Sequence, residues 1–230
     1  MVNQMIKIPE GCVLWLDLTE PTGNVVYDHS GHGNNGKVYG AVLEKRLPFI
    51  GRRFDGVDDY VEVPDSPSLN STDEITLIVW SVRQEFGDLG TMIGKSYQYL
   101  LAYHDSDTIY FNYYDGSAWV GSTYSNRKIT DSLFHLIAAT YSVSRGTVQI
   151  FVDGDLDNEK SVTANPINVT TNKLSIGYTL KWSPSWYLKG LIAHVSIYNR
   201  ALTVKEIKYL YEEFQKRVFR RIDPLNIRMR

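Results

Sequence analysis

Residues 54–64 read Phe54-Asp55-Gly56-Val57-Asp58-Asp59-Tyr60-Val61-Glu62-Val63-Pro64. Apolar and polar side chains alternate from Tyr60 to Val63, which is the period of a strand with one buried face. An Asp/Gly turn precedes this segment, and a second strand-like piece ending at Phe54 lies before the turn. The stretch therefore predicts two short strands joined by a tight turn, as is typical of an all-β protein.

Short strand candidates recur along the chain with turn residues between them. Hairpins are predicted at Asp115-Gly116 and Asp153-Gly154, because both central positions of such a turn favour positive φ. The clearest strand candidates are residues 13–18, 37–42, 75–83, 135–142, 147–152 and 188–198. Many short strands at this spacing predict two antiparallel sheets packed as a β-sandwich or jelly roll.

One helix is predicted near the C-terminus. Thr203 and Glu206 have the spacing of a capping box, in which each side chain bonds the backbone N–H of the other residue. An apolar stripe at helical spacing follows, formed by Val204, Ile207, Leu210, Tyr211, Phe214 and Val218. We expect this stripe to pack on the sandwich.

Several segments occur in the order found in a known family. They are Leu14-Trp15-Leu16-Asp17-Leu18-Thr19-Glu20, the loop Asp28-His29-Ser30-Gly31-His32-Gly33-Asn34-Asn35-Gly36, residues 54–63 with the strand at 75–80, and residues 190–203. Together they resemble the laminin-G-like jelly-roll domains of the concanavalin A-like lectin/glucanase superfamily. The resemblance implies one sandwich over residues 1–214, with residues 215–230 as a basic tail. It implies less about function, since members bind sugars, bind proteins or hold neighbouring domains in place.

Composition excludes some classes of function. The chain has 230 residues, enough for one large sandwich, and a net charge of -2, which gives no overall attraction to nucleic acid. Residues 215–230 carry a net charge of +5 and residues 1–214 carry -7.

Cys12 is the single cysteine, so no internal disulfide forms. No apolar run reaches the ~20 residues of a membrane span, and the N-terminus lacks a signal-peptide apolar core. The resemblance favours an extracellular or virion-surface location.

Aromatic residues provide the candidate carbohydrate site, because sugar rings stack on Trp and Tyr while Asn and Asp bond the hydroxyls. Two regions qualify. The first contains Tyr97, Tyr99 and Tyr103 on one predicted strand, and the candidates Tyr110, Asn112, Tyr114 and Trp119 next to it; the second contains Trp182, Trp186 and Tyr187 around a Ser-Pro-Ser loop. If the face of the first region is the open side of a sheet, it is a glycan platform. If it is the inner side, its residues belong to the core.

The resemblance also implies a structural calcium site, for which Asp17 and the backbone near Gly51 are the remaining candidates. Members of the superfamily often place an acid on the closing strand, where this chain has Ala193 and His194. Calcium prefers several oxygen ligands, and neither of these side chains supplies one. The sequence identifies no cofactor with certainty. Bound Ca²⁺ is a hypothesis, and the side chains of Ala193 and His194 count against it.

The leading hypothesis is a non-catalytic, lectin-like module that binds a glycan or cell-surface polysaccharide in surface or virion adhesion. The alternative is a structural domain that binds protein partners in a larger assembly, such as a viral one, through the sandwich or the basic tail. A divergent glycosidase is the third hypothesis. A retaining enzyme needs two carboxyl groups ~5 Å apart, and the nearest acidic run is Asp155-Leu156-Asp157-Asn158-Glu159 behind a hairpin turn.

Overall fold

The computed structural model describes residues 6–21, 23–46, 49–179 and 186–221. These residues form mostly strands, with a short 3-10 turn at Pro67–Leu69 and one helix, α1 (Val204–Arg221). The predicted all-β class is confirmed. The strands are β1 (Cys12–Asp17), β2 (Val25–Val26), β3 (Gly36–Tyr39), β4 (Val42–Arg46), β5 (Phe49–Asp55), β6 (Tyr60–Val63), β7 (Glu74–Arg83), β8 (Gly90–Lys95), β9 (Tyr99–Tyr103), β10 (Ile109–Tyr114), β11 (Trp119–Tyr124), β12 (His135–Ser142), β13 (Thr147–Val152), β14 (Asp155–Ser161), β15 (Leu174–Ile176) and β16 (Lys189–Tyr198).

The strands form two antiparallel sheets, as predicted. Sheet I has the order β14-β13-β12-β7-β16-β5-β4, and β1 also pairs with β16. Sheet II has the order β11-β10-β9-β8-β15-β6-β3-β2. β1 and β5 lie end to end along β16, because residues 194–198 pair with β1 and residues 189–192 pair with β5. The first and last strands of the sandwich are therefore neighbours in the same sheet.

Most of the apolar core lies between the two sheets. Alternate residues of each strand point to one face, and the inward-pointing ones form a single buried cluster that includes Val61, Leu77, Leu101, Phe111, Ile137 and Ile176. A second cluster lies on the outer face of sheet I beneath α1. It joins Trp15, Trp80 and Phe151 of the sheet to Ile207, Leu210 and Phe214 of the helix. Burying each large apolar side chain stabilises the fold by roughly 1.5–3 kcal/mol. The predicted packing of the helix stripe is confirmed for Ile207, Leu210, Tyr211 and Phe214, whereas Val204 is 45% exposed and the side chain of Val218 lies outside the described residues.

The start of α1 is a capping box. The Glu206 amide donates to Thr203 Oγ1 at 3.3 Å, and the Thr203 amide donates to Glu206 Oε2 at 2.8 Å. Arg200 adds a hydrogen bond to Glu206 Oε2 at 3.0 Å. The helix runs to Arg221 and so crosses residue 215, where the basic tail was predicted to begin. The tail's first seven positions are therefore helical backbone continuous with the packed part of α1.

The two Asp-Gly hairpins differ in length. Asp153 and Gly154 have φ of 56° and 82°, and they join β13 directly to β14 as a two-residue turn. Between β10 and β11 the loop has four residues instead of the expected two. There the Asp115 carboxylate accepts the amides of Ser117 and Ala118 at 2.9 and 2.8 Å, which stabilises a wider turn.

Within the described residues, no helix combines the length and the apolar composition that crossing a bilayer requires.

Candidate carbohydrate-binding surface

The sequence left open whether the tyrosine-bearing face of β9 is the open or the inner side of its sheet, and the structure shows that it is the inner side. Tyr99 and Tyr103 point between the sheets and are fully buried in the main core. Their hydroxyls are used inside the protein, since Tyr99 donates to Leu69 O at 3.2 Å and Tyr103 lies 2.9 Å from Ser81 Oγ. Burial raises the pKa of both phenols. Tyr103 is therefore corrected from a candidate sugar-stacking residue to a core residue.

The neighbouring strand β10 places Tyr110, Asn112 and Tyr114 on the outer face of sheet II. Tyr110 and Asn112 lie in a covered part of that face, with only 8% and 1% of their surfaces exposed. The Asn112 amide nitrogen donates to the Tyr110 hydroxyl at 2.6 Å, and that hydroxyl lies 3.2 Å from Ser122 Oγ. Burial raises the pKa of Tyr110, against the hydrogen bond from Ser122. Among the described residues, Asn112 Oδ1 is buried without a hydrogen-bond partner.

Trp119 and two tyrosines form a partly exposed group of predicted rings. Trp119 is paired directly with Tyr114 across β10 and β11, with ring centroids 5.5 Å apart at 60°. Tyr97 lies 5.4 Å from Tyr114 in an edge-on arrangement and 6.4 Å from Trp119. We call Tyr97, Tyr114 and Trp119 the Trp119 cluster. Tyr97 is 55% exposed, and the other two are half-buried.

The backbone at Tyr97 has an unusual conformation. Its φ of 56° lies in the left-handed region, which a bulky side chain rarely adopts. The turn is closed by the Gln98 amide, which donates to Lys95 O at 2.9 Å, and Asn168 donates to Tyr97 O at 3.1 Å. This geometry places the ring beside Tyr114 instead of in line with Tyr99 and Tyr103 on β9.

A second aromatic group lies on the other half of sheet II. Of its members, Tyr187 was predicted as a candidate binding residue. Tyr39 and Tyr60 are directly paired on β3 and β6, with centroids 4.5 Å apart at 15°. Tyr178 lies 5.3 Å from Tyr60 and 4.7 Å from Tyr187. We call these four residues the tyrosine ladder. Sequence reasoning missed Tyr39 and Tyr60 because their contact depends on strand pairing.

The loop that carries the two tryptophans is described only in part. Trp182 lies outside the described residues. Trp186 is half-buried against Leu100, Ala102 and Tyr110 on the outer face of sheet II. Tyr187 ends the tyrosine ladder. Trp186 and Tyr187 therefore lie on the same face of the sandwich as Trp119. This placement is compatible with one binding surface on the outer face of sheet II.

Asp17 and Gly51 each lie beside the middle of β16, near the point where β1 and β5 adjoin it. Asp17 pairs with His194, and a side chain at Gly51 would come within 2.8 Å of Ile192 O. Asp17 Oδ1 already accepts the Thr19 amide at 3.0 Å, and Ala193 O accepts the Leu18 amide at 3.0 Å. These oxygens are fewer than the six to eight that calcium takes. The calcium site remains a prediction and takes no part in the proposals below.

Each acid of the run 155–159 already has a protein partner. Asp155 forms an ion pair with Lys208 at 2.7 Å, and Asp157 accepts the Arg127 amide at 3.2 Å. Glu159 accepts a hydrogen bond from Gln149. All three lie on β14, the edge strand of sheet I. These contacts are structural, and they give no support to the hypothesis of a glycosidase.

Comparison with known families agrees with this fold. The family model for the concanavalin A-like lectin/glucanases superfamily matches residues 55–208. This span is more than half of the chain, so the chain belongs to that superfamily, and the family predicted from the sequence is confirmed. No curated protein sequence matches the chain.

Solved structures with the same fold include several toxin binding domains. The binding domain of botulinum neurotoxin DC, in complex with rat synaptotagmin II, has a TM-score of 0.70 and 17% identity, over 89% of this chain and 52% of its own. A structure of botulinum neurotoxin type C, whose cell entry is described as dependent on two ganglioside molecules, has a TM-score of 0.68 and 16% identity, over 89% and 51%. The binding domain of Paraclostridial Mosquitocidal Protein 1 gives 0.67 and 14%, over 89% and 52%.

These similarities establish the fold, because the sequence identities are low. The chain spans about half the length of each of these structures. All three concern binding or cell entry. What they bind is a property of those proteins, and its transfer to this chain is a proposal.

Proposed function

We propose that this chain is a non-catalytic, lectin-like module that binds a glycan on the outer face of sheet II. It would serve in adhesion, as part of a cell surface or of a virion surface. The observation that carries the proposal is the Trp119 cluster. It offers three partly exposed aromatic rings, with the exposed ring of Tyr97 among them. Aromatic rings provide the apolar surface on which a sugar ring stacks.

Polar groups beside the cluster support the same proposal. Tyr110, Asn112 and Ser122 form a hydrogen-bonded row on the same face. Sugar recognition needs a few placed polar groups beside an apolar surface, and Asn112 Oδ1 is an acceptor for which the described residues supply no donor.

The unusual backbone at Tyr97 is a further supporting observation. Holding a tyrosine in the left-handed region costs about 1–3 kcal/mol, and such residues concentrate at functional sites. A glycine would adopt this turn without that cost. The presence of tyrosine is accounted for if its ring contributes to binding.

A glycan array with the wild type and two variants tests the proposal. The wild-type protein should bind a defined set of glycans, and Trp119→Ala should weaken binding about tenfold or more, which is about 1.4 kcal/mol. Tyr27→Ala is the matched control, because Tyr27 is 50% exposed and follows β2 at the far edge of sheet II. Unfolding midpoints of each variant separate lost binding from lost folding. Absence of any glycan binding by the folded wild type would refute the proposal.

The competing function is a protein-interaction domain. It is favoured by the charge division, since residues 215–230 carry +5 and the remainder carries -7. Truncation after Phe214, which removes the whole basic segment 215–230, should leave glycan binding intact if the module is a lectin. Loss of assembly with a protein partner in that truncation, without glycan binding by the wild type, would favour the interaction domain instead.

A further inference from the structure

Arg52 is a buried arginine in an unexpected place. It lies on β5 two residues before Phe54, and alternation along the strand gives both side chains the same face. Phe54 belongs to the core between the sheets, so Arg52 also points inward. Only 3% of its surface is exposed. An arginine is seldom buried to this extent without an acidic partner.

Among the described residues, the guanidinium has carbonyl partners and no carboxylate partner. Nη1 donates to Ala41 O at 3.2 Å, and Nη2 donates to Gly23 O at 2.9 Å. Nε has no hydrogen-bond partner among the described residues. Burial lowers the pKa of Arg52. An arginine nevertheless stays protonated in proteins, so within the described part of the chain the site holds a positive charge without a counter-charge.

The contrast with the next residue is informative. Arg53 points to the other face of β5, has 41% of its side chain exposed, and its Nε lies 3.4 Å from Glu44 Oε2. The exposed arginine therefore has a carboxylate partner, and the buried one has none within the described part of the chain. A buried charge without a counter-charge is strongly destabilising. An anion supplied from outside would remove this cost.

A pocket of about 330 Å³ adjoins the guanidinium at the gap between the two sheets. Its lining includes Pro21, Asn24, Val38 and Leu43 beside Arg52, and contains no acidic residue among those described. This volume is at the lower end of the range of ligand pockets. We propose that the pocket is an anion site, in which the Arg52 guanidinium binds the carboxylate or sulfate group of a small ligand. Guanidinium groups bind such oxyanions through two parallel N–H bonds.

This proposal does not rest on the glycan-binding function. Arg52 lies near β4, at one edge of sheet I, whereas the Trp119 cluster lies on β10 and β11, at an edge of sheet II. The two sites can therefore be tested independently.

The test is a titration of the full chain, labelled with ¹⁵N, with sodium acetate and with sodium sulfate. Sodium chloride at equal ionic strength is the reference. The Arg52 Nε–Hε signal should shift and saturate with at least one of the two oxyanions, and the unfolding midpoint should rise and reach a plateau over the same concentrations. A signal that does not shift, or that shifts linearly without saturation, would overturn the proposal.

Variants separate the site from general salt effects. Arg52→Met should abolish the saturable rise in the unfolding midpoint, and Arg53→Met, the matched control, should retain it. Arg52→Lys keeps the charge without the two-pronged geometry, and should weaken the apparent affinity about tenfold. An equal saturable response in wild type and Arg52→Met would overturn the proposal, and if that variant does not fold, Arg52→Lys and the wild-type signal still decide. Glucuronate that binds more tightly than acetate would identify an acidic sugar as the ligand, and equal binding would identify a free oxyanion; both support the site.

Discussion

Ser81 and Tyr103 join the two sheets through hydroxyl groups 2.9 Å apart in the core. Ser81 lies on β7 in sheet I, and Tyr103 lies on β9 in sheet II. Both side chains are fully buried, so the contact is a polar link across an otherwise apolar interface. An unpaired buried hydroxyl is costly, which means that each residue requires the other.

The first prediction concerns this link. Tyr103→Phe should lower the free energy of unfolding by about 1–2 kcal/mol, because Ser81 keeps only a weak contact with the sulfur of Met92 at 3.5 Å. Glycan binding should be unchanged, since Tyr103 is a core residue. Urea unfolding and the glycan array check the two outcomes. Tyr97→Phe is the control, and its stability should stay within about 0.5 kcal/mol of wild type because Tyr97 is exposed. Retained stability in Tyr103→Phe would contradict the assigned role.

The second prediction concerns pH. His135 lies between two carboxylates, with Nδ1 2.8 Å from Asp153 and Nε2 2.8 Å from Asp131. Both bonds need a proton on each ring nitrogen. Burial lowers the His135 pKa, but the two carboxylates outweigh it and the pKa is raised above 6.5. Arg127 donates to the same Asp153 oxygen at 2.9 Å.

The sign follows from that direction. A raised pKa means that the folded state holds the proton more tightly, so the contribution of His135 is complete below about pH 6.5. It is lost as the pH rises through the raised pKa of the folded state. Urea unfolding between pH 5 and 9 should show wild type losing stability over this window, and His135→Gln losing less. The exposed His32 provides the control variant, His32→Gln, which should follow the wild-type curve. Parallel curves for wild type and His135→Gln would show that the imidazolium does not stabilise the fold.

Much of the sandwich was predictable because strand period and turn chemistry are local. Strand β6 has the predicted bounds, and the capping box of α1 was recognised from Thr203 and Glu206 alone. The face of β9 could not be assigned in this way. Tyr103 on its inner face and Leu100 on its outer face are both buried, because Trp186 helps to cover the outer face. A period of two identifies two faces, and it cannot say which one is the core when both are apolar.

The candidate sites were less predictable, because they depend on contacts between distant segments. Tyr39 and Tyr60 come together only through the pairing of β3 and β6. Arg52 looks like an ordinary strand arginine beside Arg53, and its burial without a carboxylate is visible only in three dimensions.

The third prediction separates binding from folding at Tyr97. Tyr97→Gly removes the ring and leaves a residue that prefers a φ of 56° no less than other values. Relief of the left-handed conformation offsets the added entropy of the unfolded chain, so the unfolding free energy should be unchanged or higher by up to about 1 kcal/mol. Glycan affinity should fall at least about fivefold, roughly 1 kcal/mol. A variant with lower stability and unaltered affinity would assign Tyr97 to the fold and remove it from the binding surface.

The fourth prediction concerns acid stability at the start of α1. The hydrogen bond from Arg200, with help from Thr203, lowers the pKa of Glu206 from 4.5 to about 2. A lowered carboxyl pKa gives stability that is present above about pH 4.5 and lost as the pH falls through 2. Glu206→Gln should cost about 1 kcal/mol at pH 7, since it removes a charged cap that is 30% exposed. The difference between the two proteins in urea should shrink between pH 4.5 and 2. Glu212, exposed on the same helix, supplies the control variant Glu212→Gln. A difference that stays constant over this range would mean that the ionised Glu206 carboxylate is not what holds the helix start.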